Sequence, residues 1–130
     1  MHSHKPSEKS MAQFVAQVQA QESRLHAERA EGVPALHRLL NVARGHTGQS
    51  RVIARFLLGL YNGTRFKVDL TDFRLLDQEL FDDCVAVLRM DSRPEREVHQ
   101  YFEDGGKIWE QLAEDWNVKD YTRDVEVKHG

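Results

Sequence analysis

The sequence predicts an all-α protein: a single compact helical domain of five to seven helices with a disordered N-terminal tail. Apolar residues recur at intervals of three and four along most of the chain, which is the spacing of an amphipathic helix. Only residues 64–70, TRFKVDL, alternate as a β-strand does, and one strand cannot form a sheet. The segments between the periodic stretches are short, so successive helices are expected to pack side by side.

Length and composition limit the kinds of protein that this chain can be. Its 130 residues are 40% hydrophobic and 30% charged, which suits one domain with a modest core and a heavily charged surface. Residues 1–10 have no large apolar side chain after Met1, so we expect a disordered tail at 1–10 and a helical domain at 11–130. With no apolar run of membrane-spanning length and no secretory signal, the expected location is the cytoplasm, without membrane contact.

Three helices are expected in the first half of the chain. The first has one apolar face that weakens midway, so it either projects or packs only through its first half, and Gly32 and Pro34 predict its end. The loop GHTGQS at residues 45–50 joins the next two helices, and Asn62-Gly63 ends the second of them. Their apolar stripes predict a helical hairpin, in which three leucines pack on three residues of the partner helix. These are Leu36, Leu39 and Leu40 on one helix and Ile53, Phe56 and Leu57 on the other.

The second half is expected to begin with an extended link at residues 64–70 that carries apolar anchors. A short helix opens at Thr71-Asp72, and Asp77 is placed to cap the helix after it. That helix is the most apolar of the chain, so we expect it at the centre of the core. Its apolar residues are Leu80, Phe81, Cys84, Val85, Val87 and Leu88.

Two further helices are expected before the C-terminal tail. The first runs from Ser92 onward and is broken or kinked at Gly105-Gly106. The second carries Trp109 and Trp116 seven residues apart on one stripe. The two tryptophans are either core residues or part of a groove for a partner, and the pattern alone leaves both open.

Charge is unevenly distributed, although the net charge of the whole chain is only −3. Residues 1–67 carry ten Lys/Arg and four Glu, a net charge of +6, whereas residues 68–130 carry eight Lys/Arg and seventeen Asp/Glu, a net charge of −9. One interpretation is that the two halves fold against each other and their charges partly cancel. The other is a basic face for a polyanion together with an acidic face for a basic partner.

Four arginines around the loop at residues 45–50 are the candidate nucleic-acid-binding residues. They are Arg38, Arg44, Arg51 and Arg55. They would contact backbone phosphates, and the loop would add free N–H groups at a helix N-terminus. Gln49 replaces the lysine of a P-loop, so nucleotide hydrolysis is not expected. The competing interpretations are a solvated or salt-bridged face for the arginines and a turn with a capping hydroxyl for the loop.

No catalytic, metal or cofactor site is predicted. The single cysteine, Cys84, excludes a disulfide framework and a cysteine-based zinc cluster, and its apolar and acidic neighbours favour a buried, inert thiol. Glu95, His99 and Glu103 fall at i, i+4 and i+8 of the expected helix, so they would share one side and offer ligands to a divalent metal. Di-metal bundles need such sets from more than one helix, and we interpret this set as an exposed helix face.

Four phrases of the sequence carry a family resemblance: SRVIARFLL at 50–58, YNG at 61–63, DLTDFR at 69–74 and FDDC at 81–84. They lie within residues 49–91, which are similar to a family of small uncharacterised proteins associated with integrative and conjugative elements of proteobacteria. The resemblance implies a bacterial, cytoplasmic accessory protein carried on mobile DNA. It implies no known activity and no catalytic residues.

The function predicted from the sequence is that of a non-enzymatic protein-interaction or regulatory accessory protein of a bacterial mobile element, whose protein partner is not identified. The alternative is a nucleic-acid-binding accessory factor that uses the four arginines. A third hypothesis, a small metalloprotein centred on His99, ranks behind both. A continuous basic face would favour nucleic acid, interleaved charges would favour a protein partner, and the oligomeric state is left open.

Overall fold

The computed structural model describes residues 8–123, which fold into four α-helices and two short 3₁₀ helices. The α-helices are α1 (Glu8–Ala43), α2 (Gly48–Tyr61), α3 (Gln78–Asp91) and α4 (Gly105–Asp115), and the 3₁₀ helices span Leu70–Leu75 and Val98–Tyr101. No β-strand occurs in this part of the chain, and the predicted all-α fold is confirmed. Of the tail expected at residues 1–10, residues 1–7 lie outside the described part, as do residues 124–130, and residues 8–10 begin α1.

Helix α1 is continuous for 36 residues, so the break predicted at Gly32 and Pro34 is wrong. Gly32 is buried against α3, and a Cβ at this position would lie 2.6 Å from the Cβ of Met90. The glycine therefore permits two helices to approach closely and does not end one. Pro34 is exposed and removes only the hydrogen bond that its missing N–H would donate to the carbonyl of Ala30. The packing of the following turns outweighs that single loss.

The predicted helical hairpin of α1 and α2 is confirmed. Leu36, Leu39, Ile53 and Leu57 are fully buried in the common core, and Phe56 is 3% exposed. Seven residues of α2 are buried, more than in any other helix of the described chain. Helix α2 is thus the central one, and the prediction that α3 occupies the centre is wrong, because α3 buries only three side chains.

Helix α3 runs antiparallel to the C-terminal half of α1. Along α1, Gly32 meets Met90 near the end of α3, and Arg38 meets Asp83 near its beginning. One side of α3 therefore faces α1. The buried residues of α3 are Cys84, Val87 and Met90.

The helix predicted from Ser92 onward is wrong, because only Val98–Tyr101 forms a helical turn, of the 3₁₀ type. Glu97 and Gln100 close this turn as a capping box, in which each side chain accepts from the other residue's backbone N–H. Asp104 then adopts a left-handed conformation (φ 56°). Helix α4 starts at the two glycines that were expected to break the preceding helix.

Helix α4 joins the hairpin through two tryptophan side chains. Trp109 is fully buried, and its indole N–H donates a hydrogen bond of 3.0 Å to the carbonyl of Leu57 in α2. The indole N–H of Trp116 donates a 2.8 Å bond to the carbonyl of Ala43, the last residue of α1. Both tryptophans therefore belong to the packing of the bundle.

Arg65, in the turn after α2, binds side chains of α4 and of the segment that follows it. Its guanidinium donates two hydrogen bonds to Glu110, of 2.7 and 2.9 Å, and one of 2.8 Å to Asp120. The hydroxyl of Tyr61 donates to the same Glu110 carboxylate at 2.6 Å, and the backbone N–H of Tyr121 donates to the Arg65 carbonyl. Hydrogen bonds from Arg65 and Tyr61 lower the pKa of Glu110 to about 2.

Candidate functional site

An apolar groove opens between α2, α3 and the first 3₁₀ helix. It encloses about 200 Å³. The residues that line it, and that define the apolar groove from here on, are Phe56, Gly59, Leu60, Val68, Leu70, Phe73 and Leu88. None of these side chains titrates, so the groove itself offers no acid, base, nucleophile or metal ligand.

The local sequence explains the shape of the groove. Because Gly59 has no side chain, Val68 of the link occupies the space that a Cβ would take. The rings of Phe56 and Phe73 meet edge to face with their centroids 5.5 Å apart, which joins the 3₁₀ helix to α2. Of the apolar anchors expected in the link, Phe66 is buried as predicted, whereas Val68 and Leu70 stay at the surface.

Apolar side chains continue onto the surface beside the groove. Leu70 is 77% exposed, Leu88 is also exposed, and the ring of Phe81 extends the patch 6.5 Å from that of Phe73. The volume lies below the about 300 Å³ of ordinary small-molecule pockets. It suits an apolar side chain that a partner protein inserts, as a helix does in a hydrophobic groove.

Residues 8–27 of α1, the α1 extension, carry a second uncovered apolar surface. The apolar stripe consists of Met11, Phe14, Val15 and Val18, with exposures from 40% at Val18 to 61% at Phe14. No charged side chain occurs from Ser10 to Gln21. Of the two possibilities for this helix, the structure shows projection, since its C-terminal half packs and its first half does not.

The four candidate arginines differ in their surroundings. Arg38 donates two hydrogen bonds, of 2.8 and 3.0 Å, to the carboxylate of Asp83, which raises the pKa of Arg38. Arg44, Arg51 and Arg55 form no ion pair with any residue from Glu8 to Arg123. Arg38 is therefore directed to α3 and neutralised, and three arginines keep their charge unpaired within the described chain.

The three unpaired arginines lie on two elements. Arg44 follows the end of α1 and lines a cleft with Lys107 and Asp115 of α4. Arg51 and Arg55 are half-buried and lie one turn apart on α2. The Nε atom of Arg55 is buried and has no hydrogen-bond partner among the described residues.

The loop before α2 is a turn with a capping hydroxyl, which is the interpretation that competed with a phosphate-binding loop. Thr47 is the N-cap, and its hydroxyl accepts a 3.0 Å hydrogen bond from the N–H of Ser50. Gln49, which replaces the P-loop lysine, accepts a 2.7 Å bond from the N–H of Asp77 and so ties the loop to α3. Both side chains are thus used within the fold.

The expected row of Glu95, His99 and Glu103 does not form, because these residues do not share one helix. His99 packs edge to face on Tyr61 with ring centroids 4.9 Å apart, and Glu95 pairs with Arg29 at 3.2 Å. No group of three or more potential metal ligands comes together between residues 8 and 123.

Cys84 is 1% exposed, as expected of a buried thiol. Burial, with a smaller contribution from the charge of Asp83, raises the pKa of the Cys84 thiol to about 12. The thiolate needed for nucleophilic chemistry is therefore scarce at neutral pH.

Several ion pairs join the basic first half of the chain to its acidic second half. They are Arg29–Glu95, Arg38–Asp83, Arg65–Glu110 and Arg65–Asp120. Part of the charge asymmetry is thus cancelled by folding, as one of the two interpretations proposed.

The sequence analysis did not predict the apolar groove, although the sequence contained a signal for it. The apolar stripe of α3 is wide enough to need two neighbouring elements.

No helix among residues 8–123 has both the length and the apolar character to cross a membrane.

Comparison with known proteins places the chain in a family. No curated protein and no solved structure matches the chain. A family of unknown function, DUF7673, matches residues 33–117, from the point where α1 enters the bundle to the end of α4. Because this match covers more than half of the sequence, the chain belongs to the DUF7673 family.

Proposed function

We propose that this chain is a non-enzymatic interaction protein that receives an apolar side chain of a partner protein in the apolar groove. The apolar lining of that groove, with Leu70 and Leu88 exposed at its edge, carries the proposal, because partner proteins insert apolar side chains into such grooves. Full burial of a leucine is worth about 1.5–3 kcal/mol relative to exposure. Covering Leu70 and Leu88 would therefore supply a substantial part of the affinity of a transient complex.

Affinity capture from host cells with the full chain as bait, with and without nuclease, tests this proposal. The comparison variant is Leu70→Glu with Leu88→Glu, which places two charges at the groove. The matched control is Leu75→Glu, because Leu75 is 57% exposed but does not line the groove. We expect a protein that survives nuclease treatment, is retained by the Leu75 variant and is lost from the groove variant.

Loss of the captured protein after nuclease treatment would contradict the proposal, since the contact would then depend on nucleic acid. Equal capture by the groove variant and the wild type would also contradict it. Hydrogen exchange of the recovered complex provides a direct readout, with added protection expected in α2 and in residues 64–75.

A second candidate function is nucleic-acid binding through Arg44, Arg51 and Arg55. The observation that favours it is that these three side chains have no ion-pair partner in the described chain. Three phosphate contacts would give a slope of about −2.7 in a plot of log K against log salt. With a net charge of −3 for the whole chain, such a patch supports only weak binding, with a Kd of about 10⁻⁴–10⁻⁶ M or weaker.

Fluorescence anisotropy with labelled single-stranded and duplex oligonucleotides tests whether nucleic-acid binding is strong enough to be the leading function. We expect no sub-micromolar binding at about 150 mM salt, where the screening length is about 8 Å. Sub-micromolar binding that is weakened by Arg51→Ala with Arg55→Ala would make nucleic-acid binding the leading function. Arg38→Ala is the matched control, because the Arg38 charge is already paired with Asp83.

The biological setting that we propose is a bacterial mobile element, with the protein acting in the cytoplasm as an accessory factor. The resemblance of residues 49–91 supports this setting, and those residues include all seven that line the apolar groove. Replacing the gene in an element by the Leu70→Glu, Leu88→Glu variant should change the frequency of element transfer or maintenance. An unchanged frequency, with the protein still expressed, would argue against this setting.

A further inference from the structure

The apolar stripe of the α1 extension continues the face by which α1 packs in the bundle. Met11, Val18, Leu25, Gly32 and Leu39 follow one another at intervals of seven residues. Gly32 and Leu39 are buried, Gly32 against Met90 of α3. The same face is covered by the bundle from Gly32 onward, where Met90 of α3 meets it, and is uncovered from Val18 back to Met11.

We propose that a second copy of this chain covers the stripe, with the two α1 extensions paired antiparallel about Val18. In this arrangement Met11 of each copy lies beside Leu25 of the other, and the two Val18 residues meet at the two-fold axis. The interface is self-complementary, as a symmetric dimer requires. It does not use the apolar groove, so the inference stands apart from the proposed function.

The position of α3 favours the antiparallel orientation. A partner helix can lie on this face of α1 only up to the turn before Gly32, where Met90 occupies it. A parallel partner would bring both bundles to the same end of the pair, with both copies of α3 on the shared face. An antiparallel partner places the two bundles at opposite ends, where neither obstructs the other.

Charge also favours the antiparallel orientation. Glu8, Glu22 and Arg29 lie at the edge of the stripe, in one row with Val15 of the stripe and at intervals of seven residues. In an antiparallel pair this row faces the same row of the other chain, running in the opposite direction. Glu8 of one chain then lies beside Arg29 of the other, where it joins Glu95 as a second carboxylate next to that guanidinium. In a parallel pair the row faces the one that contains Arg24, which sets Arg29 beside Arg24 of the second copy.

The size of the contact indicates a reversible dimer. The α1 extension has 20 residues and is about 30 Å long, so the paired surface is a strip about 10 Å wide and of that length. This falls short of the about 800 Å² per partner of a standard stable interface. We therefore expect a dimer that dissociates on dilution.

Sedimentation velocity of the full chain from about 1 μM to about 1 mM measures this equilibrium. We expect the mass to rise from 15.1 kDa toward twice that value for the wild type. Phe14→Glu with Val18→Glu should remain at 15.1 kDa throughout the range. The matched control adds the same two charges on the opposite side of the same helix, Ala16→Glu with Ala20→Glu, and should behave as the wild type does.

Cysteine cross-linking tests the orientation. Met11→Cys and Leu25→Cys are made separately and mixed, and a disulfide forms only where the two Cα atoms come within about 7 Å. An antiparallel pair predicts the mixed Met11→Cys/Leu25→Cys cross-link and little cross-linking of either variant alone. The native Cys84 is buried and does not compete.

A wild-type chain that stays at 15.1 kDa across the range would overturn the proposal, as would a Phe14→Glu, Val18→Glu variant that still dimerises. Cross-linking of Met11→Cys with itself, in place of the mixed product, would overturn the antiparallel orientation. Leu70→Glu with Leu88→Glu should leave the dimer unchanged. Loss of the dimer in that variant would show that the contact uses the apolar groove and not the stripe.

Discussion

Asp91 occupies the last turn of α3 in a half-buried position near Glu97. Burial disfavours the charged carboxylate, and the negative charge of Glu97 adds to this, so the pKa of Asp91 is raised to about 6. The C-terminal end of a helix is also where a negative charge interacts unfavourably with the helix dipole. The ionised carboxylate of Asp91 therefore lowers the free energy of unfolding at neutral pH.

Replacing Asp91 by Asn should stabilise the protein at pH 7 and have little effect near pH 4. Because the pKa in the folded state lies above the value of about 3.9 in the unfolded chain, the carboxyl's favourable contribution is present at low pH. That contribution is lost as pH rises through about 6. Urea unfolding at several pH values should show a gain of up to about 2 kcal/mol for Asp91→Asn at pH 7. An equal gain at pH 4 would show that charge is not the cause.

Single residues were predictable where their partners are close in sequence. Asp77 was expected to cap α3, and its carboxylate accepts a 2.9 Å hydrogen bond from Leu80, three residues later. The bonds of Arg65 to Glu110 and Asp120 span 45 and 55 residues, and no local pattern marks them. Such pairs depend on how the helices are arranged, which the spacing of apolar residues does not determine.

Helices and their packing were predicted correctly where a single apolar stripe packs against a single neighbouring helix. The hairpin of α1 and α2 followed from matching stripes and a short loop. The helix expected from Ser92 onward failed because Glu97 and Gln100 cap a single 3₁₀ turn, so the chain is closed off before a longer helix can form. The end expected at Gly32 failed because a glycine that breaks a helix and a glycine that lets two helices touch look alike in sequence.

Alanine substitution distinguishes these two uses of glycine. Gly32→Ala should lower the free energy of unfolding by about 1–3 kcal/mol, because its Cβ would overlap that of Met90, which only a shift of α1 or α3 can relieve. Gly106→Ala is the matched control in the first turn of α4, where a Cβ meets nothing within 4 Å. That change should raise the free energy of unfolding by about 0.5–1 kcal/mol, and urea denaturation measures both. Stabilisation by Gly32→Ala would refute the close contact between α1 and α3.

In the molecule as a whole, the core is confined to the bundle and leaves the α1 extension outside it. Among residues 8–123, the buried hydrophobic residues all lie between Ala35 and Leu112. The matched region of the family, residues 33–117, covers the same part of the chain. The stability of the fold is therefore expected to come mainly from this part of the chain, and very little of it from the α1 extension.

Replacing one phenylalanine by alanine in the bundle and another on the α1 extension should show that stability comes mainly from the bundle. Phe56→Ala is expected to cost about 3–5 kcal/mol, because a ring that is 3% exposed leaves a cavity in the core. Phe14→Ala should change stability by less than about 0.5 kcal/mol, since its ring is 61% exposed on the α1 extension. Chemical denaturation at low protein concentration, where dimers are dissociated, measures both. Similar losses for the two variants would contradict this expectation.

The candidate surfaces were only partly predictable at this scale. The four arginines were visible as a cluster in sequence, but their separation into Arg38, paired with Asp83, and three unpaired side chains required the fold. The width of the apolar stripe of α3 indicates two neighbours, but it does not indicate that Leu88 and Phe81 remain exposed beside a groove. Their exposure follows from the number of neighbours that α3 has, which is a property of the whole arrangement.

Pro34 gives the long helix a mechanical property. Because Pro34 donates no hydrogen bond to the carbonyl of Ala30, α1 has one weakened turn close to where it leaves the bundle. The α1 extension beyond this turn is about 30 Å long, so a tilt of about 10° displaces its tip by about 5 Å, close to the pitch of one helical turn. When α1 bends at this turn, the N-terminal end of the extension therefore moves further than the end that adjoins the bundle. A small change of angle where Gly32 of α1 meets Met90 of α3 would therefore displace the N-terminal end of the helix by several ångströms.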